Sequence, residues 1–188
     1  MDWKNSPRKY GATVQLAHWA SAFLVVFAWA LGLVGDEFPR GPIRDAAHLV
    51  HSSAGELIAI FLLVRLVSRF TDPAPGDDSA ASNRGAAIAA KAGHYLLYAL
   101  LAAVIGVGVA LEFSRGKPLS LFGLFEIASP WVKDKSLSHQ LKEVHETLAN
   151  GLMLLATLHA AVALFHHFYL KDSVLKRMLP SGARAEAR

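Results

Sequence analysis

The chain has 188 residues, of which 53% are hydrophobic and 18% are charged, and it contains no cysteine. Its charged fraction lies below the roughly 25% of ordinary soluble domains, which indicates a membrane protein. The absence of cysteine excludes disulfides, iron–sulfur clusters and the covalent attachment of c-type haem. The net charge of +4 does not indicate nucleic-acid binding, because the basic residues occupy short segments between apolar runs, as in membrane-protein loops.

Four apolar runs follow one another along the chain, and each is long enough to cross about 30 Å of hydrocarbon. Two polar stretches, 71–85 and 114–143, are predicted as connections, and within the second the portion LSLFGLFEI is expected to form a short amphipathic segment along the interface. We therefore predict one all-α domain, residues 1–188, folded as an integral membrane four-helix bundle. Its transmembrane helices are expected at about 13–35, 48–70, 93–113 and 144–169.

The distribution of Lys and Arg predicts the orientation of the bundle. With both termini in the cytoplasm, twelve of these residues lie on the inner side and seven on the outer side, in agreement with the positive-inside rule. The last outer connection departs from this rule, because it is itself basic; it carries Arg115, Lys117, Lys133, Lys135 and Lys142.

The histidines of the apolar runs match one another in depth. His145 and His159 are fourteen residues apart, which is nearly four helical turns, or about 21 Å, and both leave from nearly the same face. In an antiparallel bundle His51 lies at the depth of His145, and His18 lies at the depth of His159. Each pair is suited to hold one haem iron between two helices, as a six-coordinate bis-His centre for electron transfer.

A lone histidine at a helix end is more often an interfacial residue than a ligand. We interpret His48, His94, His139, His166 and His167 in this way, although His166 also falls near the face that carries His145 and His159. Spacing alone therefore leaves open a second interpretation, a haem-free helical scaffold or transporter.

Several motifs make the chain resemble the bacterial cytochrome b561 family over almost its whole length. They are QLAHW in the first run, HSSAG and LLVRL in the second, SRGKP after the third, and VHETLAN, LHAA and FHH with a following Lys-Asp pair at the end. Val144 stands where the family usually has Trp, a difference expected to affect packing more than ligation. The resemblance implies two non-covalent haem b groups with His18, His51, His145 and His159 as iron ligands. The H-x-x-x-G arrangement from His51 to Gly55 favours His51 over His48, but whether His48 or His166 replaces a named ligand stays open.

The resemblance also implies a function, because some members of that family oxidise superoxide at the outer face and reduce ubiquinone. We expect a multi-pass oxidoreductase of the bacterial inner membrane, with membrane lipid, quinone and superoxide as its partners. The five basic residues of the last outer connection would attract the superoxide anion. Arg65, fourteen residues after His51, is expected to bind a haem propionate.

Two other functions remain compatible with the sequence. The same bundle could serve as the membrane anchor of a respiratory dehydrogenase or hydrogenase, passing electrons between that partner subunit and quinone. The haem-free scaffold is the other. No reliable signature marks a quinone site, for which His94, His166 and His167 are weak candidates.

Overall fold

The computed structural model describes residues 2–76 and 84–180, and its described part is dominated by four long helices. These are α1 (Ala12–Gly35), α2 (Pro42–Thr71), α3 (Arg84–Ser114) and α4 (Lys135–Phe165). A π-helical turn at His166–Leu170 extends α4, and a short 3-10 turn follows at Leu175–Arg177. All four helices, α4 together with its π-helical turn, are long and apolar enough to cross a membrane. The predicted all-α membrane bundle is confirmed.

Three of the helices begin well before the apolar runs from which they were predicted. α2 starts six residues earlier, at Pro42, and α3 and α4 each start nine residues earlier. Apolar length reveals only the part of a helix that lies in hydrocarbon, whereas the first turns are set by local chemistry. Proline at the first helical position needs no hydrogen-bond partner for its nitrogen. At the start of α4, the Asp134 side chain accepts a 3.0 Å hydrogen bond from the Leu137 amide. Of the predicted connection 71–85, residues 77–83 lie outside the described part of the chain.

The connection between α3 and α4 contains a β-hairpin instead of the single amphipathic segment that was expected. Strand β1 (Leu119–Leu121) pairs antiparallel with β2 (Phe125–Ile127). Three residues connect the strands, and the Leu124 amide donates to the Leu121 carbonyl at 2.9 Å. Phe122 and Gly123, the two central residues of this turn, both have positive φ angles, 53° and 72°, as a type I′ turn requires. Glu56 of α2 holds this tip, since its Oε2 accepts a 2.9 Å hydrogen bond from the Phe122 amide. We call this end of the bundle the hairpin end.

At the opposite end, which we call the terminal end, hydrogen bonds connect three segments: 2–11, 72–76 and 171–178. The Asn5 amide donates to Asp72 Oδ2 at 2.7 Å, and the Trp19 indole donates to the Met178 carbonyl at 2.8 Å. The side chain of Arg177 is buried between the segments and donates to the Gly76 carbonyl. These bonds join positions far apart in sequence and close this end of the bundle.

A thin apolar core fills the middle of the bundle. Its buried members are Ala28, Ala54, Ile58, Leu62, Leu101 and Leu152. α1 packs mainly against α2, and α3 mainly against α4. Large apolar side chains on the outward faces stay exposed, such as Phe23 at 69% and Leu154 at 75%, as expected for surfaces that contact lipid.

Candidate functional site

The structure brings the four histidines of the sequence prediction together in two pairs. At the hairpin end, the ring centroids of His51 and His145 are 6.1 Å apart, with 71° between the ring planes. At the terminal end, those of His18 and His159 are 6.4 Å apart, with 70° between the planes. α4 contributes one histidine to each pair, while the partners come from α2 and α1.

The geometry of both pairs fits a metal centre with two axial imidazoles. Two imidazoles that each bind one metal atom at about 2 Å, from opposite sides, bring their ring centroids to about 6 Å. Nδ1 of His51 lies 3.0 Å from the Ala28 carbonyl, the kind of contact that orients a ligating histidine and leaves its other nitrogen for the metal. The Nδ1 atoms of His18 and His145 are buried and have no hydrogen-bond partner in the described part of the chain. The residues present therefore fit two haem groups with bis-His ligation.

The same fourteen-residue step occurs on all four helices, and it arranges the site into two layers. Each helix places one residue in a hairpin-end layer and another in a terminal-end layer. The hairpin-end layer consists of Gly32, His51, Gly108 and His145, and the terminal-end layer of His18, Arg65, His94 and His159. Leu101 and Leu152 of the core lie midway between the layers on α3 and α4. The prediction applied this step to α2 and α4 only; applied to α1 and α3, it would also have found Gly32, His94 and Gly108.

In the hairpin-end layer, each histidine ring lies against a glycine of another helix. A Cβ added to Gly32 would lie 3.4 Å from Cε1 of His51, and one added to Gly108 would lie 3.1 Å from Cε1 of His145. The second distance is shorter than ordinary van der Waals contact. Gly108 therefore leaves the space that the His145 ring occupies.

The terminal-end layer is more polar than the hairpin-end layer. The His94 ring centroid is 5.3 Å from that of His159, so His94, interpreted from the sequence as interfacial, belongs to this layer. The Arg65 guanidinium lies 5.0 Å from the centre of the Tyr98 ring, and the fourteen-residue step places Arg65 in the same layer as His18, His94 and His159. A cation thus lies beside the histidines of this layer.

Of the five basic residues predicted to attract anions, some form ion pairs with acidic side chains and others do not. Arg115 forms a 2.5 Å ion pair with Glu112, and Lys142 pairs with Asp36 and, at 3.6 Å, with Glu146. The Lys142 ammonium, which donates a hydrogen bond to Asp36, holds the pKa of that carboxyl below its usual 3.8, so the pair stays charged at neutral pH. The remaining three, Lys117, Lys133 and Lys135, form no ion pair within residues 2–76 and 84–180.

Three further histidines contact carboxylates instead of other imidazoles. His48 lies 3.8 Å from Asp36, and His139 lies 3.4 Å from Glu143. Nδ1 of His166 lies 2.5 Å from Asp172. In the structure, neither His48 nor His166 takes the place of a histidine in the two pairs.

The chain matches known proteins over nearly its whole length. The family model described as prokaryotic cytochrome b561 matches residues 9–181. "Cytochrome b561 homolog 2" of Escherichia coli K12 is 35% identical, over 95% of each chain. "Probable superoxide oxidase CybB" of Yersinia pestis is 30% identical, over 92% of this chain and 97% of its own. "Cytochrome b562" of Cereibacter sphaeroides is also 30% identical, over 86% of this chain and 89% of its own.

These matches agree with the four membrane-spanning helices and with imidazole pairs that fit haem. They also agree with the absence of cysteine, which restricts any haem to non-covalent binding. The chain belongs to the prokaryotic cytochrome b561 family, whose members are multi-pass b-type cytochromes that transfer electrons in the bacterial inner membrane.

Proposed function

We propose that the chain binds two haem b groups and carries electrons from superoxide at the hairpin end to ubiquinone at the terminal end. His51 and His145 would hold one haem, and His18 and His159 the other. The observation that carries the proposal is the spacing of the two imidazole pairs, 6.1 Å and 6.4 Å between ring centroids, at two depths of one bundle. A haem held by two histidines would supply one-electron redox chemistry.

The protein backbone orients one imidazole and leaves room for another. The Ala28 carbonyl fixes the ring of His51, and Gly108 leaves room for the ring of His145. The layers are separated by about 21 Å along α4, with the apolar core between them. This arrangement supports an electron-transfer path across the hydrocarbon layer of a membrane.

The basic surface at the hairpin end supports superoxide as the electron donor. Lys117, Lys133 and Lys135 lie in the connection between α3 and α4 or at the start of α4. Uncompensated positive charge near a site raises the local concentration of anions and speeds their arrival. The Lys and Arg count favours an orientation with this end in the periplasm and both termini in the cytoplasm. The similarity to a probable superoxide oxidase agrees with this choice of donor.

The overall reaction balances with one quinone for two superoxide anions. Each superoxide loses one electron and leaves as O2, and the ubiquinone gains two electrons and two protons to become the quinol. We place the quinone near the terminal end, so that its protons come from the cytoplasmic side. At that end Arg65 lies in the same layer as His18 and His159, where we propose that it binds a haem propionate.

An anchor subunit for a respiratory dehydrogenase or hydrogenase is the second candidate function. Exposed apolar side chains at the hairpin end favour it, because such surfaces are often covered by a partner. Leu124 is 75% exposed, Phe125 71% and Val132 91%.

An experiment on the purified protein, without a partner subunit, decides between the two functions. We expect enzymatically generated superoxide to reduce its haem. When ubiquinone is added, the amount of quinol formed should be about half the amount of superoxide consumed, because the quinone takes two electrons and each superoxide gives one. Superoxide dismutase added in excess is the control and should abolish both signals. Haem that superoxide cannot reduce, in protein that dithionite does reduce, would favour the anchor subunit.

The glycine beside His145 gives a second test. Gly108→Ala would place a methyl group 3.1 Å from the His145 ring, so we expect it to perturb or remove the hairpin-end haem and leave the other intact. Gly106→Ala, two residues away, is the matched control, because a Cβ at that position meets no atom within 4 Å. Optical and electron paramagnetic resonance (EPR) spectra of both variants would report the outcome. Equal spectra for the two variants would contradict this role of Gly108.

A further inference from the structure

The two layers differ in the balance of the charges around their histidines. Beside the hairpin-end layer, Glu112 lies one turn after Gly108, Arg115 lies three residues further, and Glu146 follows His145 on α4. These charges are compensated nearby, since Arg115 pairs with Glu112 at 2.5 Å and Glu146 with Lys142 at 3.6 Å. These three charges beside the hairpin-end layer are therefore compensated by ion pairs.

The terminal-end layer contains a cation, Arg65. On α2, Arg65 belongs to this layer together with His18, His94 and His159 of the other helices, and Arg69 lies one turn further from the core. Within the described ranges, neither arginine forms an ion pair. The half-buried Arg65 is fixed by the Tyr98 ring, 5.0 Å from its guanidinium carbon. A cation held in a region of low dielectric constant acts strongly on a nearby redox centre.

We propose that Arg65 gives the terminal-end haem the higher midpoint potential and so sets the direction of electron flow through the bundle. A nearby positive charge favours the reduced form of a haem, because reduction adds one negative charge. Electrons that enter at the hairpin end then move downhill towards the terminal end. If the guanidinium also binds a propionate, it neutralises a negative charge near the iron, and the effect on the potential has the same sign. The inference rests on the proposed ligation of two haems.

Three substitutions on α2 separate the charge of Arg65 from its shape. Arg65→Gln removes the charge, whereas Arg65→Lys keeps the charge and loses the planar guanidinium. Arg69→Gln is the matched control, because Arg69 is an arginine one turn further along the same helix whose side chain is exposed, where water screens its charge. Optical redox titration of the full chain in detergent or lipid gives the potentials of both haems. His145→Ala, which should retain only the terminal-end haem, assigns the two transitions.

We expect the higher wild-type transition to match the single transition of His145→Ala. Arg65→Gln should shift that transition down to or below the other, while Arg65→Lys should leave the order unchanged and Arg69→Gln should produce a much smaller shift. The inference is wrong if the higher transition belongs to the hairpin-end haem, a result that needs no Arg65 variant to fold. It is also wrong if Arg65→Gln leaves the potential unchanged or if Arg65→Lys shifts it equally. A wild-type haem count other than two would contradict the proposed function itself, before any titration.

Discussion

Replacement of His145 by alanine is expected to remove one of the two haems and leave the other, so that the haem-to-protein ratio is halved. The His145 ring is one of the two that converge at 6.1 Å at the hairpin end, and a methyl group cannot replace its metal-binding nitrogen. The terminal-end pair lies about 21 Å away along α4, beyond the core residue Leu152, and should keep its haem. A pyridine haemochrome assay on purified protein, normalised to protein concentration, measures the ratio.

Controls on the same helices separate ligation from general damage. His139→Ala changes a histidine of α4 whose side chain is 74% exposed and contacts Glu143, so it should retain both haems. His48→Ala should also retain both, whereas His51→Ala should lose the same haem as His145→Ala. A His145→Ala protein with both haems would refute the proposed pairing. Loss of haem in His48→Ala, with none in His51→Ala, would exchange the roles of these two residues.

Neutralising the three unpaired lysines of the hairpin end should slow the reaction with superoxide. We expect the combined substitution of Lys117, Lys133 and Lys135 by Gln to lower the second-order rate of haem reduction by about tenfold at low ionic strength, because electrostatic steering contributes factors of that order or more. The difference should largely disappear at about 1 M salt, where the screening length is only about 3 Å. Stopped-flow measurement of haem reduction by superoxide at several salt concentrations provides the rates.

A charge-matched variant at the other end is the control for this experiment. Substitution of Lys4, Lys91 and Lys176 by Gln removes the same net charge from the terminal end, and it should leave the rate with superoxide nearly unchanged. Equal slowing in both triple variants would mean that net charge, and not the hairpin-end surface, governs the reaction. Arg115 and Lys142 are expected to contribute less than the three lysines, because acidic side chains already compensate their charges.

The structure shows which parts of the prediction depended on local information. The depth matching of His18 with His159 and of His51 with His145 succeeded because helix rise and rotation are regular, so spacing along the chain gives position along the bundle. The helix starts were predicted too late, because Pro42 and Asp134 determine them through capping and not through hydropathy. The hairpin at 119–127 was missed, because the positive φ angles of Phe122 and Gly123 and the bond from Glu56 leave no signal in an apolar pattern.

The amino-acid sequence by itself determined four membrane spans, the depths of the histidines and, through the absence of cysteine, the restriction of any haem to non-covalent binding. Each of these follows from local length, regular spacing or composition. Only the tertiary structure decided which surfaces meet. It placed Gly108 against the His145 ring, His94 beside His159, and Asp36 beside Lys142. These contacts join different helices, and their geometry depends on how the helices pack. Consequently, Lys142 forms ion pairs with Asp36 and Glu146, whereas Arg65 forms none with the residues that the structure describes. Residue type and position along the chain do not reveal this difference.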